Sequence, residues 1–373
     1  MRAGFAVGRL LPLQRHVVFA ASYTSRISGN LAFIRDELAR RTPPIPYVIV
    51  AHSHDGSWRS WFSTFVANIR AGFHLATARL FIVDDYFLPA YVVKPRRGTT
   101  IVQTWHASGA FKKIGYSVLD KAFGADEGLV AKVAIHSNYD VCLMASKAAA
   151  VHYAEAFREP LDRFVTDIGM PRTDVLFGAG VERIKAAVRA RYRLPPGKRV
   201  ILYAPTFRGE TVRKATSPQD LDLALLQREL GADHVVLLRL HPFVRQGQPI
   251  PAGLAAFAID VSDHPDIHEL MLVSDVLITD YSSAIFEFSL LGRPMIFFAP
   301  DHDEYMGERG FYFEYRTGVP GPVFERTGDV AGYLRAGRFD LKRVARFRDE
   351  SFEVADGHAS ERFVDRIVLP ALR

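Results

Sequence analysis

Four short stretches place side chains suited to anion chemistry directly behind apolar runs. Thr99–Gln103 leads into Trp105-His106, and Arg199–Tyr203 into Ala204-Pro205-Thr206-Phe207-Arg208. Val235–Leu240 carries Arg239 and leads into His241-Pro242, and Val276–Ile278 into Thr279-Asp280-Tyr281-Ser282-Ser283. The apolar runs have the length and branching of buried parallel strands. Open α/β sheets bind ligands beyond the carboxyl ends of such strands. Two histidines, two arginines, three hydroxyls and the start of a helix (Ala284–Leu291) would then face one crevice. An imidazole with an ordinary pKa near ~6.5 accepts a hydroxyl proton at neutral pH. Arginines and the unpaired N–H groups of a helix start hold the charge of a departing diphosphate or nucleotide. The set suits transfer from a phosphoanhydride. Each member also has a plainer reading: a histidine at a core rim, a surface ion pair for Arg239, an ordinary helix cap for Ser282. Recurrence at the same end of successive strands favours the chemical reading.

Other chemistries find little support. There is no G-x-x-x-x-G-K-[ST] loop and no G-x-G-x-x-G after a strand. The local acidic and histidine clusters, His52-Ser53-His54-Asp55, Asp84-Asp85 and Asp301-His302-Asp303-Glu304, read as polar turns, so neither a metal nor a cofactor is expected. Thr104–Gly109 is no nucleophile elbow. A net charge of +6 and a pI of about 9.3 favour anionic partners. Scattered charges without a basic run argue against nucleic acid. The one cysteine, Cys142, sits in an apolar run and reads as a small buried hydrophobe; without a second, no intrachain disulfide forms, which fits the cytoplasm. Arg9 interrupts the apolar residues of the N-terminus and no cleavage site follows, so it does not read as a signal peptide. No stretch approaches the ~20 apolar residues of a spanning helix, so a membrane would be met from its surface.

The elements that must position these residues alternate along the chain. Its 373 residues exceed one compact core and predict two domains. Strands are expected at His16–Ala20, Tyr47–Ala51, Ala78–Asp84, Thr99–Gln103, Tyr139–Ala145 and Phe164–Ile168, with helices at Asn30–Arg41, Trp58–Gly72 and Lys147–Phe157. A basic helix, Val181–Arg193, and Leu194-Pro195-Pro196-Gly197-Lys198 mark a junction. Strands at Arg199–Tyr203, Val235–Leu240, Ala258–Val261, Val276–Ile278 and Met295–Phe298 follow. The tail, Leu341–Arg373, is helical in composition and is expected to cross back over the first half. Strand and helix in alternation predict doubly wound parallel sheets.

The ordered motifs TWHASGAFKKIGY (Thr104–Tyr116), GMPRTD (Gly169–Asp174), ILYAPTFRG (Ile201–Gly209), RLHP (Arg239–Pro242) and DVLITDYSSAIFEF (Asp275–Phe288) are joined by GRPMIFFAPDHDEY (Gly292–Tyr305) and RGFYFEY (Arg309–Tyr315). Together they resemble the CDP-glycerol glycerophosphotransferase family, the teichoic acid primases and polymerases and related capsule polymerases, over the stretch from Ser25 to Phe324. The resemblance implies an α/β, GT-B-like fold of two Rossmann-type doubly wound parallel-sheet domains with the active site in the cleft between them. Residues 1–180 would form the acceptor side and carry the catalytic base, 181–345 would bind the CDP donor, and 346–373 would pack back on the first domain. It implies transfer of polyol phosphate from CDP-glycerol or CDP-ribitol to a hydroxyl of a lipid-linked diphosphate acceptor or growing polymer, with release of CMP.

Carried over by motif, His106 would be the general base, flanked by Trp105, Ala107, Ser108 and Gly109 as substrate contacts. His241 with Arg239 and Leu240 would bind the donor pyrophosphate. Arg172, Pro205, Thr206, Ser282 and Ser283 would shape the CDP pocket, and Glu287 would hold a nucleotide hydroxyl. Ser28-Gly29-Asn30 and Lys112-Lys113 are further candidates for the acceptor. Two departures stand out. WHASG replaces the family's common WHGTP, a variant associated with members that extend chains or use ribitol phosphate. Glu287 replaces the usual Asp, one methylene longer but still four residues from Ser283 on a helix face. The resemblance further implies a cytoplasmic enzyme, peripheral on the inner face of the membrane, with Val181–Arg193 and the Arg-rich tail as candidate contacts to anionic lipid. Two other readings remain: a GT-B nucleotide-sugar glycosyltransferase, and a non-catalytic module that binds anionic polymer, against which intact His106 and His241 argue.

Overall fold

A computed structural model describes residues 1–22, 26–52, 58–119, 127–130, 132–209, 215–218, 220–244, 250–308 and 310–373. Ser25, Ser53, His54, Asp55 and Arg309, all named above, lie outside the described residues. Two six-stranded sheets organise the rest. The first contains β1 (Gln14–Ala21), β2 (Tyr47–Ala51), β3 (Ala78–Val83), β4 (Thr100–Gln103), β5 (Val141–Leu143) and β6 (Phe164–Val165), in the order β2-β1-β3-β4-β5-β6. The second contains β7 (Arg199–Tyr203), β8 (His234–Leu238), β9 (Ala258–Asp260), β10 (Val276–Thr279), β11 (Met295–Phe298) and β12 (Val323–Phe324), in the order β12-β11-β10-β7-β8-β9. The pairings between these strands are parallel throughout. This is the two-domain, GT-B-like α/β fold expected.

Both faces of each sheet are covered, which is why the strands read as unbroken apolar runs. In β1, Val17 and Phe19 face one core while Val18 and Ala20 face another. In β7, Val200 and Leu202 join the same core as Val17, and Ile201 and Tyr203 face a third. One apolar core therefore runs through both halves. At its joint, Phe111 packs on Phe311 and Phe313 with ring centroids 4.9 and 5.3 Å apart. Lys113 N–H donates to the Gly310 carbonyl (2.9 Å) and Tyr312 N–H to that of Phe111 (3.0 Å). The AFKKIGY and GFYFEY stretches thus tie the two halves together.

The tail returns to the first half. The helix Leu341–Ser351 still sets Phe347 against Phe286 of the second half (5.1 Å), and beyond it the Asp174 carboxylate of the first half accepts the N–H groups of Ala359 (2.9 Å) and Ser360 (2.8 Å). Phe363, Val364 and Val368 are fully buried in the shared core. This contact also explains why β5 and β6 are shorter than the apolar runs. The Ala145 carbonyl accepts from Glu353 N–H and that of Ile168 from Arg362, so the backbone leaves the ladder to meet the tail.

Helices differ from expectation at several places. Residues Arg2–Gly8 form a short helix, α1, which the sequence reading did not assign. After α2 (Gly29–Arg40), α3 runs from Trp58 to Thr77 instead of stopping at Gly72. Gly72 is there for contact, since a Cβ on it would lie 2.3 Å from the Met1 carbonyl oxygen. The helix after β10 spans only Ala284–Ser289, because Leu290, Leu291 and Gly292 donate to carbonyls three residues back and tighten its end.

Candidate active site

In the second sheet the strand order reverses between β7 and β10, and crevices at such switch points take ligands. A cavity of about 240 Å³ opens there. It is lined by His106 and Arg172 from the first half and by Pro205, Thr206, Arg239, Leu240, His241, Ser282, Ser283 and Glu287 from the second. Residues far apart in sequence are therefore brought to one place. Trp105, Ala107, Ser108 and Gly109 lie behind the cavity, buried at the joint between the halves.

Burial of Trp105 is what aims His106. The indole is 2% exposed among Tyr86, His136, Tyr153 and Phe157. Its backbone has φ +50°, unusual for a bulky residue, and is held there from both sides. Trp105 N–H donates to Gln103 Oε1 (2.8 Å), while Asn30 Nδ2 donates to the carbonyls of Trp105 (2.8 Å) and Thr104 (3.0 Å). The next residue turns outward, and the His106 ring stacks on the indole at 4.6 Å. His106 Nδ1 lies 3.3 Å from the Asp84 carbonyl and 3.8 Å from the Asp85 carboxylate. A neutral ring donating from Nδ1 to that carbonyl leaves Nε2 as the basic nitrogen. Burial, followed by the charge of Asp85, pushes the Asp84 carboxyl up to about 7.

His241 has the opposite polarity. Phe243 N–H donates to its Nδ1 (3.2 Å), so the neutral ring carries its proton on Nε2 and presents a donor. Phe207 and Phe243 pack against the ring at 4.8 and 4.7 Å. Arg239 is buried, with Nη1 3.4 Å from the Ser262 carbonyl and Nε without a partner. Burial pulls its pKa below the usual arginine value. A buried guanidinium with an unmet donor is costly to hold, and an anion relieves it.

The turn after β10 divides its work. Asp280 is almost wholly buried and its Oδ1 accepts from the N–H (2.8 Å) and hydroxyl (2.9 Å) of Thr206. Arg208 pairs with Asp280 (2.9 Å) and with Asp301, which also accepts from the Tyr281 hydroxyl (2.9 Å). Thr279 donates to the Ala204 carbonyl (2.6 Å). These residues hold the turn, and Ser282 and Ser283 are the two of its side chains that reach the cavity. The Ser282 hydroxyl also accepts from Ala284 N–H (3.2 Å). Asp301–Glu304 is not a polar loop as expected: Asp301 joins this network and His302 opens a helix to Glu308.

Across the cleft, Ser108 donates to Glu287 Oε1 (2.8 Å), and Arg172 Nε stands 3.7 Å from the same oxygen. Arg172 Nη1 donates to the His106 carbonyl, and its own N–H to Asn30 Oδ1 (3.0 Å). Glu287 is 3% exposed. Gly109 belongs to the same joint, since a Cβ there would meet the Phe286 ring at 2.2 Å.

Sequence reading missed His268, which lines the cavity with Ile267 and Met271. Asp266 caps the helix Ile267–Val273 and accepts from both the N–H (2.9 Å) and the Nδ1 (2.6 Å) of His268. An Asp two residues before a His at a helix start was the available signal. Among the described residues, no three His, Cys, Asp or Glu side chains gather as a metal site, and no helix is long and apolar enough to cross a membrane.

Comparison with known proteins bears on this site. Residues 5–369 match the model of the CDP-glycerol:poly(glycerophosphate) glycerophosphotransferase family. The teichoic acid ribitol-phosphate primase of Bacillus spizizenii is 36% identical over 364 residues, covering 96% of this chain and 92% of that protein. The teichoic acid poly(ribitol-phosphate) polymerase of the same organism is 35% identical over 369 residues, 98% of this chain but only 58% of the polymerase. Among solved structures, a variant of the wall teichoic acid polymerase TagF, studied with CDPG, superposes with a TM-score of 0.80 at 25% identity, covering all of this chain and 93% of that one. On the match along nearly its whole length, the chain belongs to the CDP-glycerol:poly(glycerophosphate) glycerophosphotransferase family.

Proposed function

We propose that the cleft transfers a polyol phosphate from CDP-glycerol or CDP-ribitol to a hydroxyl of a lipid-linked acceptor or growing teichoic-acid-like or capsular polymer, releasing CMP. The observation that carries this is the pair of histidines of opposite polarity on one cavity, His106 basic at Nε2 and His241 a donor at Nε2. His106 takes the proton of the acceptor hydroxyl. The oxygen bonds to the polyol-bearing phosphorus as the anhydride bond to CMP breaks. Arg239 and His241 take up the charge that gathers on the leaving phosphate. Arg172, Pro205, Thr206, Leu240, Ser282 and Ser283 shape the nucleotide pocket, and Glu287 holds a nucleotide hydroxyl. The buried Trp105, Ala107, Ser108 and Gly109 support this reading as the frame that fixes His106 rather than as direct contacts.

The names of the relatives, teichoic acid primase and polymerase, and the CDPG of the TagF structure support the donor and acceptor classes. The domain division is 1–180, 181–345 and 346–373, and the working location is the cytoplasmic face of the membrane. The test is a donor screen: purified chain, CDP-glycerol or CDP-ribitol, a lipid-linked acceptor, and CMP detection. CMP from either CDP-polyol is expected. Turnover of UDP- or GDP-sugars instead would make the chain a glycosyltransferase and sink the reading.

A further inference from the structure

A proton taken at Nε2 leaves the His106 ring positively charged, and the fold decides which groups meet that charge. Arg172, in the turn Pro171–Leu176 after β6, holds the His106 carbonyl through Nη1 and opposes a second cation beside it. Glu287 stands 3.7 Å from Arg172 Nε and answers the charge of that guanidinium. Two carboxyls remain, at the end of β3. Burial, followed by the charge of Asp85, pushes the Asp84 carboxyl up to about 7, so at neutral pH it is only partly ionised. Asp85 Oδ2 lies 3.8 Å from His106 Nδ1, with the two side chains 30 and 53% exposed.

Asp85 is fixed on the same support as the ring it faces. Its Oδ1 accepts from Tyr86 N–H (2.7 Å), which leaves Oδ2 on the side of the imidazole. Its carbonyl accepts from Gln103 Nε2 (3.2 Å), and the Oε1 of that amide accepts Trp105 N–H (2.8 Å). Gln103 is fully buried and also donates to the Tyr139 hydroxyl (2.9 Å). One buried side chain therefore sets both the backbone that carries the carboxylate and the backbone, at φ +50°, that leads into the imidazole. An ion pair met by chance on a surface has no such common anchor. In the neutral ring, Nδ1–H has the Asp84 carbonyl at 3.3 Å as its acceptor. Once the ring is charged, the Asp85 carboxylate is the stronger partner, within a small rotation of hydrogen-bond distance. Both side chains meet solvent, so screening limits the effect to tens of fold in rate.

We propose that Asp85 is a positioning residue of the transfer, orienting the His106 ring and offsetting the positive charge the ring gains as the acceptor proton arrives. This rests on the proposed function and names the group through which its base works. The acceptor O–H bond breaks and its proton joins Nε2. The freed oxygen bonds to phosphorus as the bond to CMP breaks. Asp85 stays a carboxylate throughout, and the imidazolium gives its proton to water after the transfer. The test is a double-mutant cycle on the full chain, read as CMP release from a CDP-polyol and as CDP affinity by calorimetry. Asp85→Asn keeps an oxygen for Tyr86 N–H and removes the charge, and Asp85→Ser is a second neutral variant should the first not fold. The neutral variant should lower kcat about ten- to a hundredfold and leave CDP affinity and the thermal midpoint unchanged. In the His106→Ala background the same substitution should cost less than about twofold, because the group it serves is gone. Asp85→Glu restores the charge and should recover most of kcat. Full kcat in the neutral variant overturns the proposal. So does an equal loss with and without His106, which would make Asp85 a residue of the scaffold only. Absence of CMP release by the wild type would instead bring down the proposed function, and this inference with it.

Discussion

At the residue scale the chemistry depends on two imidazoles held in opposite tautomers, His241 by its own turn and His106 by the end of a neighbouring strand. For His106 the neighbours are Asp84 and Asp85 at the end of β3, and Asp84 makes a measurable prediction. Its carboxyl titrates near 7 rather than 3.8, so between those values the folded chain keeps a proton that the unfolded chain has lost. Stability from this group therefore falls as pH rises through that window. Asp84→Asn should raise the urea midpoint over wild type above about pH 7 and give no gain below about pH 4. An equal gain at both ends would contradict the assigned burial. Arg239 offers a second check. Because Arg239 lines the cavity as a buried guanidinium, Arg239→Ala should weaken CDP binding by about ten- to a hundredfold in calorimetry, and an unchanged affinity would remove it from the pocket. Most of the cavity was legible because strand ends announce themselves by a change from apolar to polar residues. His268 was not, because it sits inside a helix whose start, Asp266, looks like any cap.

At the element scale the strands were nearly all readable, since burial on both sides leaves little but apolar residues. Their lengths were not, because β5 and β6 yield backbone to a tail far away in sequence. The WHASG stretch shows the same limit from another side. By resemblance it reads as a row of ligand contacts, and in the fold Ala107, Ser108 and Gly109 are buried at the joint between the halves. Gly109 faces the Phe286 ring, so Gly109→Ala should cost about 1–3 kcal/mol in urea unfolding by overpacking. A neutral result would show that the joint yields. Helix α3 was misjudged because Gly72 reads as a stop signal, whereas its lack of a side chain is used to admit α1.

At the scale of the whole molecule, two sheets share one apolar core, and the tail closes over both. Magnitudes separate what holds that closure. The pair Arg366–Asp167 is largely exposed, and such pairs contribute at most about 1 kcal/mol. Phe363 is fully buried, and its truncation to Ala should cost about 3–5 kcal/mol. Denaturant melts of Arg366→Ala and Phe363→Ala should differ accordingly, and equal losses would mean that the ion pair, not the core, fastens the tail. This shared core is why the cleft can depend on residues from both halves, with Glu287 held by Ser108 and Arg172 across the joint.

The central claim is that His106 removes the acceptor proton while the second half holds the nucleotide. Its most direct test measures CMP release and CDP affinity together in wild type and His106→Ala. A fall in kcat of about 10²- to 10⁴-fold is expected, with CDP affinity unchanged. Turnover retained by His106→Ala, or CDP affinity lost with the turnover, would contradict it.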